Sequence, residues 1–363
     1  MINKNKILVC PLDWGLGHAS RMIPVIRLLV KYNFKVIIGA DKAPLAMLRQ
    51  EFPDLQWIRI PSVTIKYSKN NLLILKIMML SPAIISGMIR EHKILKKIIK
   101  DYDINLVISD NRYGLWNKKV RSVFVTHQVM VKMPKWLKFM EFPIHLIIRN
   151  IISGYDKCWI PDFEQGMKLA GDLSSKYRLP ANAEYIGLLS RFANTHPDTN
   201  NDIDKDYYND ILVILSGPEP QRTKLENIII RQLHGTNYKT LIIRGKPDNN
   251  DDRNITENIR LIPHASTPIM KNYILAAKYI VCRAGYSSIM DMITLGRKAL
   301  LIPTPGQTEQ EYLAQYLDKK ELFPYTDQKG LDIEKDVTRL EKNTDPDIYS
   351  VNPDLLENKI KTL

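Results

Sequence analysis

Three short stretches hold residue types whose spacing could do chemistry. The first reads Asp13-Trp-Gly-Leu-Gly-His-Ala-Ser-Arg21. Gly15 and Gly17 permit a tight turn and close approach of the backbone to a ligand, and His18 follows at once. A neutral imidazole there can take a proton from a substrate hydroxyl. The same histidine can instead cap or pack a loop. A helix opening at this point would disfavour the imidazolium and keep the base form available. The run is not the GxGxxG dinucleotide fingerprint, because Ser20 stands at the third glycine position.

The second stretch is Cys282-Arg-Ala-Gly-Tyr-Ser-Ser-Ile-Met-Asp291. A strand ending in Arg283, Ala284 and Gly285, with a helix opening near Ser287, would offer free N–H groups to a phosphate, along with the Ser287 and Ser288 hydroxyls. Asp291 lies one turn on and could accept hydrogen bonds from a vicinal diol such as a ribose. Read as plain structure, Ser287 is a helix cap and Asp291 a charge near a helix dipole. The third stretch, Pro303-Thr-Pro-Gly-Gln-Thr-Glu-Gln-Glu311, also opens a helix. Gln310 and Glu311 would enter the same crevice, where amides and carboxylates suit sugar hydroxyls. Such residues in a first turn also occur simply solvated.

The elements that must position these stretches alternate. Residues 6–10 read as a buried strand, 13–20 as a glycine-bearing turn, 21–32 as a helix and 34–39 as a second strand. That is a βαβ unit, with parallel strands. Further strands are expected at 55–60, 105–109, 122–126, 157–160 and 184–187, with a long helical region over 72–100 bent near Pro82. Residues 194–210, rich in Asn, Asp, Thr and Pro, read as an exposed junction. A second set follows, with strands at 210–215, 239–243, 260–262, 279–282 and 299–303 and helices at 224–233, 268–277, 287–295 and 309–319. The expected class is α/β: two doubly wound, Rossmann-like domains facing a central cleft. The expected division is 1–187 and 188–350, with a C-terminal helix at 353–361 that could rejoin the first domain. In such an arrangement ligands lie outside the carboxyl ends of the strands.

The 363 residues are 45% hydrophobic and 25% charged, which excludes wholesale disorder and coiled-coil architecture. The formal charge of +13 is uneven. Residues 1–150 hold 25 Lys+Arg against 9 Asp+Glu, and the remainder 27 against 30, so +16 stands beside −3. A basic half suggests an anionic partner: nucleic acid, a membrane surface or a phosphorylated substrate. No nucleic-acid module or stacking platform is evident, so nucleic acid is not expected. Three scattered cysteines, Cys10, Cys158 and Cys282, argue for a reducing compartment and against a zinc site. The run at 7–10 is too short for a signal peptide. The longest uncharged apolar stretch, 77–89, falls short of the about 20 residues that span a bilayer. A cytoplasmic protein, attached peripherally if at all, is expected.

The order of these motifs resembles the MurG-type glycosyltransferases of family 28, which have the GT-B architecture. It is GxGH in the first loop, then Arg-x-Gly-x₅-Asp, then Pro-x₆-Gln-Glu. The specific match covers about residues 281–316, with a second at about 7–29. The resemblance implies transfer of a sugar from a UDP-sugar to an acceptor hydroxyl, with inversion and without cofactor or metal. Gly15, Gly17 and His18 match the family's glycine loop and its proposed base. Arg283, Ala284 and Gly285 match the loop facing the donor diphosphate, Asp291 the acid on the ribose, and Gln310 and Glu311 a Gln pair that reads the sugar. His127 and Gln128 sit where the family has His-Glu-Gln near the acceptor, and Tyr113 near an acceptor-side Tyr.

The chain departs from the pattern at Ser216-Gly-Pro-Glu-Pro-Gln-Arg-Thr223, which replaces a glycine-rich loop. Ser216, Gly217 and Arg222 are the candidates there for phosphate. Glu311 in place of Gln leaves the sugar open, and the acceptor side differs most. A lipid-linked or cell-envelope glycan is the expected acceptor. A UDP-sugar hydrolase and a non-catalytic nucleotide-sugar binder are the alternatives. Asp204-Lys-Asp206 is formally a metal-binding DxD but reads as solvated loop. Residues 72–149 mix apolar side chains with a Lys/Arg rim, which suits an anionic membrane surface.

Overall fold

The structure is a computed structural model and describes residues 6–62, 81–193, 207–341 and 354–363. The first half runs β1 (Lys6–Cys10), α1 (Leu16–Lys31), β2 (Lys35–Ala40), α2 (Lys42–Glu51), β3 (Gln56–Arg59), α3 (Ser81–Tyr102), β4 (Leu106–Asp110) and β5 (Arg121–Val125). A 3-10 turn (Lys135–Met140) leads into α4 (Glu141–Ile152), β6 (Lys157–Ile160), α5 (Asp172–Ser175) and β7 (Ala183–Tyr185). All seven strands are parallel, in the order β3-β2-β1-β4-β5-β6-β7. The central strands are continuous apolar runs because both faces of the sheet are covered by helices. Ile7, Leu8, Val9 and Cys10 are all fully buried.

The second half holds β8 (Ile211–Ile214), α6 (Gln221–Leu233), β9 (Thr240–Ile243), β10 (Arg253–Asn254), β11 (Ile259–Ile262), α7 (Thr267–Ala276), β12 (Tyr279–Cys282), α8 (Tyr286–Thr294), β13 (Leu300–Leu301), α9 (Thr308–Lys319) and α10 (Ile333–Val337). Its sheet runs β10-β11-β9-β8-β12-β13, with only β10 antiparallel. Both sheets are therefore doubly wound. The strand order reverses between β1 and β4 in the first and between β8 and β12 in the second. Loops at these two switch points are where the fold leaves room for ligand.

Two local readings need correction. Helix α1 begins at Leu16, five residues before the expected start, and carries Pro24 inside it. The paired glycines read as a turn, yet Gly15 is the cap and Gly17 already lies in the first turn. His18 is thus a helical residue with a fixed direction. Helix α2 was not anticipated, because Lys42-Ala-Pro44 at its start resembles a loop. Residues 72–80 of the long helix and Asp204–Asp206 lie outside the described residues.

The last helix, α11 (Asp354–Lys361), packs on the first half. It buries Leu356 and Ile360 against α1, and Lys359 donates to Glu184 at 2.6 Å. The two halves also touch directly. Tyr286 Oη donates to the Pro161 carbonyl at 2.7 Å, and Ser287 Oγ to the Gly17 carbonyl at 2.8 Å. Tyr312 Oη accepts from the Asp172 amide at 2.7 Å. Gly171 sits under that contact with φ of 54°, and a Cβ on it would lie 2.4 Å from Tyr312 Oη.

Candidate active site

The switch point of the first sheet places His18, at the start of α1, beside Asp110, the last residue of β4. His18 Nδ1 lies 2.9 Å from Asp110 Oδ2. Asp110 is fully buried and also takes two bonds from Arg21, one from Nε at 2.9 Å and one from Nη2. His18 Nδ1 also lies 2.9 Å from Arg21 Nη2; when it donates to Asp110, which can only accept, Nε2 keeps the lone pair. Burial alone would raise the Asp110 carboxyl, but Arg21 and His18 outweigh it and hold it below the ordinary carboxylate range. The side chain of His18 is 20% exposed, so the pair is anchored inside and open at its tip.

His127 lies deeper, in the loop after β5. Arg21 Nη1 stands 3.0 Å from its Nδ1, and its Nε2 stands 2.8 Å from Glu309 Oε1 of α9. Its ring stacks on Tyr286, with centroids 4.1 Å apart and planes at 3°. A guanidinium only donates, so Nδ1 accepts and Nε2–H donates to Glu309. Burial lowers the pKa of His127, against the opposing pull of Glu309, which agrees with a neutral ring. Glu309 is lowered overall: burial raises it, but His127 and Gln128 outweigh that. Gln128, next to His127 in the same loop, adds to that lowering.

The second switch point is arranged differently from expectation. Arg283 does not face the cleft. Its fully buried guanidinium donates to the carbonyls of Gln221 at 2.8 Å, Pro303 at 3.2 Å and Ile302 at 3.3 Å. Burial lowers its pKa to about 10. It clasps the loop after β13 to the start of α6, and Ala284 beside it is fully buried. Asp291 is buried too, accepting from Ser190 Oγ at 2.6 Å and lying 3.5 Å from Arg191 Nε. Gln310 and Glu311 fold back on their own loop, accepting from the amides of Thr304 at 2.9 Å and Gly306 at 2.8 Å. Two residues of that turn cross to the first half: Thr308 Oγ1 donates to the Lys132 carbonyl at 2.9 Å, and Glu309 reaches His127. Gly285 caps α8, and Ser287 and Ser288 stand in its first turn, partly exposed.

A cavity of about 530 Å³ lies between the two halves. The first half lines it with Asp13, Trp14, Gly15, Leu16, Lys42 and Ser62. The second half supplies Ser216, Gly217, Glu219 and Arg222. Gly217 turns there with φ of 92°, a conformation that favours glycine. Arg222 is held by Glu219 and by the Gly245 carbonyl at 2.9 Å. Asp13 accepts from the amides of Asp41 at 3.2 Å and Ser62 at 3.0 Å, so it is pinned at the cavity wall. Burial raises its pKa, partly offset by Arg112.

The structure therefore gathers Gly15, Gly17, His18, His127, Gln128 and Ser287 around one seam, with Ser216, Gly217 and Arg222 on the adjoining cavity. Tyr113 is not among them; its ring packs on Phe124, 4.9 Å between centroids. Asp110, Arg21, Asp13 and Glu309 were missed as functional candidates. Asp110 had a usable signal, an acidic residue at the carboxyl end of a central strand. Arg21 had one as well, one helical turn after His18. Glu309 and Asp13 had none.

Residues 219–355 match the glycosyltransferase family 28 C-terminal domain, and residues 5–124 match glycosyl transferase family 1. A curated relative from Caldicellulosiruptor saccharolyticus is 33% identical over 67 residues. It is a UDP-N-acetylglucosamine–N-acetylmuramyl-(pentapeptide) pyrophosphoryl-undecaprenol N-acetylglucosamine transferase, and the match spans only 18% of each chain. Among solved structures, the glycosyltransferase of kitacinnamycin superposes with a TM-score of 0.63 at 10% identity, covering 100% of this chain and 94% of that one. The calicheamicin glycosyltransferase gives 0.59 at 10% identity, over 99% and 93%. Acinetobacter baumannii MurG gives 0.52 at 12% identity, over 99% and 95%. The chain has the GT-B fold, and most of its second half matches the glycosyltransferase family 28 C-terminal domain.

Proposed function

We propose that the protein is an inverting glycosyltransferase. It moves a hexose or N-acetylhexosamine from a UDP-sugar to a hydroxyl of a lipid-linked or other cell-envelope glycan. The observation that carries this reading is the His18–Asp110 pair at the switch point of the first sheet, set against a second sheet of family 28 type. The choice of UDP and of a lipid-linked acceptor rests on the family resemblance and on the name of the curated relative. The reading assigns no metal and no cofactor beyond the donor.

The acceptor hydroxyl attacks C1 of the donor sugar while His18 Nε2 takes its proton. The C1–O bond breaks as the new bond forms, and the diphosphate leaves with the electron pair. Asp110 meets the imidazolium that results. Charge on the leaving diphosphate is met by free N–H groups at the start of α8, by Ser288 and by the turn at Ser216–Gly217. Attack from the face opposite the leaving group inverts C1.

The basic first half has a matching surface. Trp136, Phe139, Phe142 and Ile147 are 62%, 71%, 52% and 60% exposed on the 3-10 turn and α4. Lys135, Lys138 and Arg149 stand among them in sequence. Among the described residues no helix is long and apolar enough to cross a membrane. Each inserted apolar side chain would contribute about 1.5–3 kcal/mol, and each nearby Lys or Arg about 1 kcal/mol on an anionic surface. This surface supports a peripheral position on the inner membrane face. The protein should sediment with anionic liposomes at low salt and be released as salt rises. Failure to sediment at low salt would remove the membrane from the reading.

UDP release from UDP-sugars, with and without a lipid extract, tests the function. Release only with extract supports transfer; release without it makes the protein a hydrolase; binding with no release makes it a binder. His18→Ala should abolish turnover and spare UDP binding. Undiminished turnover would take His18 out of the role of base.

A further inference from the structure

The contacts around His18 continue without a break into the second half. His18 touches Asp110 (2.9 Å), Asp110 is held by Arg21 (2.9 Å), Arg21 Nη1 reaches His127 (3.0 Å), and His127 reaches Glu309 (2.8 Å). Arg21, Asp110 and His127 are all buried. Both carboxylates can only accept and the guanidinium can only donate, which fixes His127 as acceptor at Nδ1 and donor at Nε2, while His18 Nδ1 stands between Asp110 Oδ2 and Arg21 Nη2 and serves the chain as a donor to Asp110. In that assignment Glu309 is the acceptor that keeps His127 Nε2–H satisfied. It thereby keeps Nδ1 free to accept from Arg21.

His127 is held from the second half on two sides, by Glu309 at its edge and by the Tyr286 ring on its face. From the first half, Arg21 holds it. The charged or titratable groups facing it are Arg21, Glu309 and His18. If His127 turns away, Arg21 Nη1 is left without that acceptor in a buried place, and the guanidinium must shift. Arg21 Nη2 lies 2.9 Å from His18 Nδ1, so the shift passes directly to the candidate base.

We propose that Glu309 is a positioning residue for His18, acting across the cleft through His127, Arg21 and Asp110. The base is then complete only when the two halves meet. The inference rests on the reading of His18 as the base, but its first test does not need activity.

The full-length protein with ¹⁵N-labelled histidine is examined by two-bond ¹H–¹⁵N NMR at neutral pH. In the unsubstituted protein His18 should show the Nδ1–H tautomer and His127 the Nε2–H tautomer. Glu309→Ala should move the ring nitrogens of both histidines, whereas Glu309→Gln, whose carbonyl still accepts, should keep the original pattern. In turnover with UDP-N-acetylglucosamine and lipid extract, E309A should lose about tenfold or more in kcat, with the Kd for UDP unchanged, and E309Q should recover most of it. Unmoved His18 nitrogens in E309A overturn the proposal, as does E309Q being as impaired as E309A. A raised donor KM with unchanged kcat also overturns it and makes Glu309 a ligand contact. Spectra that respond as expected while H18A stays active would leave the coupling standing and defeat only the base.

Discussion

On the proposed reading, donation from His18 Nδ1 to Asp110 leaves Nε2 to take a proton, and a conservative change isolates that task. In Asp110→Asn an amide could donate to Nδ1, which favours the Nε2–H tautomer and blocks the base. The expected loss in kcat is about 100-fold or more, with UDP affinity nearly unchanged by titration calorimetry. Equal loss of UDP affinity would place Asp110 in folding rather than in proton transfer. His18 was legible in the sequence because two glycines flag its loop. Asp110 offered its place at the carboxyl end of a central strand, but its pairing with His18 was not legible, because the two lie 92 positions apart. Arg283 and Asp291 were read as facing ligand from motif position alone. Motif position does not reveal burial, and three carbonyls claim the one while Ser190 and Arg191 claim the other.

At the scale of elements, the parallel sheets were legible from apolar runs such as Ile7–Val9 and Ile280–Cys282. The true start of α1 and the whole of α2 were hidden, because glycine and proline near a helix start mimic a loop. Helix α11 shows what packing adds to a weak local signal. It has only 8 residues, too few to persist alone, and it depends on burying Leu356 and Ile360 beside α1. Leu356→Ala and Ile360→Ala should each cost about 2–5 kcal/mol in the denaturant unfolding of the first half. A loss below about 0.5 kcal/mol would mean that the helix is not docked in solution.

For the whole molecule, the seam between the halves carries a pH signature. His264 is pushed down to about 4, chiefly by burial and then by Arg191, against the pull of Glu51. The unfolded imidazole takes its proton near 6.5, whereas the folded one stays neutral down to about 4. Stability from this group is complete above pH 6.5, drains as pH falls from 6.5 to 4, and is gone below. Relative to His264→Gln, the native protein should lose up to about 3 kcal/mol across that window. Equal pH profiles for the two would refute it. The uneven charge seen in the sequence belongs to the same scale. It named which half is basic, and the exposed apolar side chains of the 3-10 turn and α4 stand in that same half. Gly171 has a consequence of its own. At that point the two halves come together where there is room for a hydrogen atom and none for a methyl group. An added carbon there would crowd the Tyr312 hydroxyl and hold a non-glycine residue in a left-handed backbone, so Gly171→Ala would strain the contact between the halves at the point where Tyr312 meets the Asp172 amide.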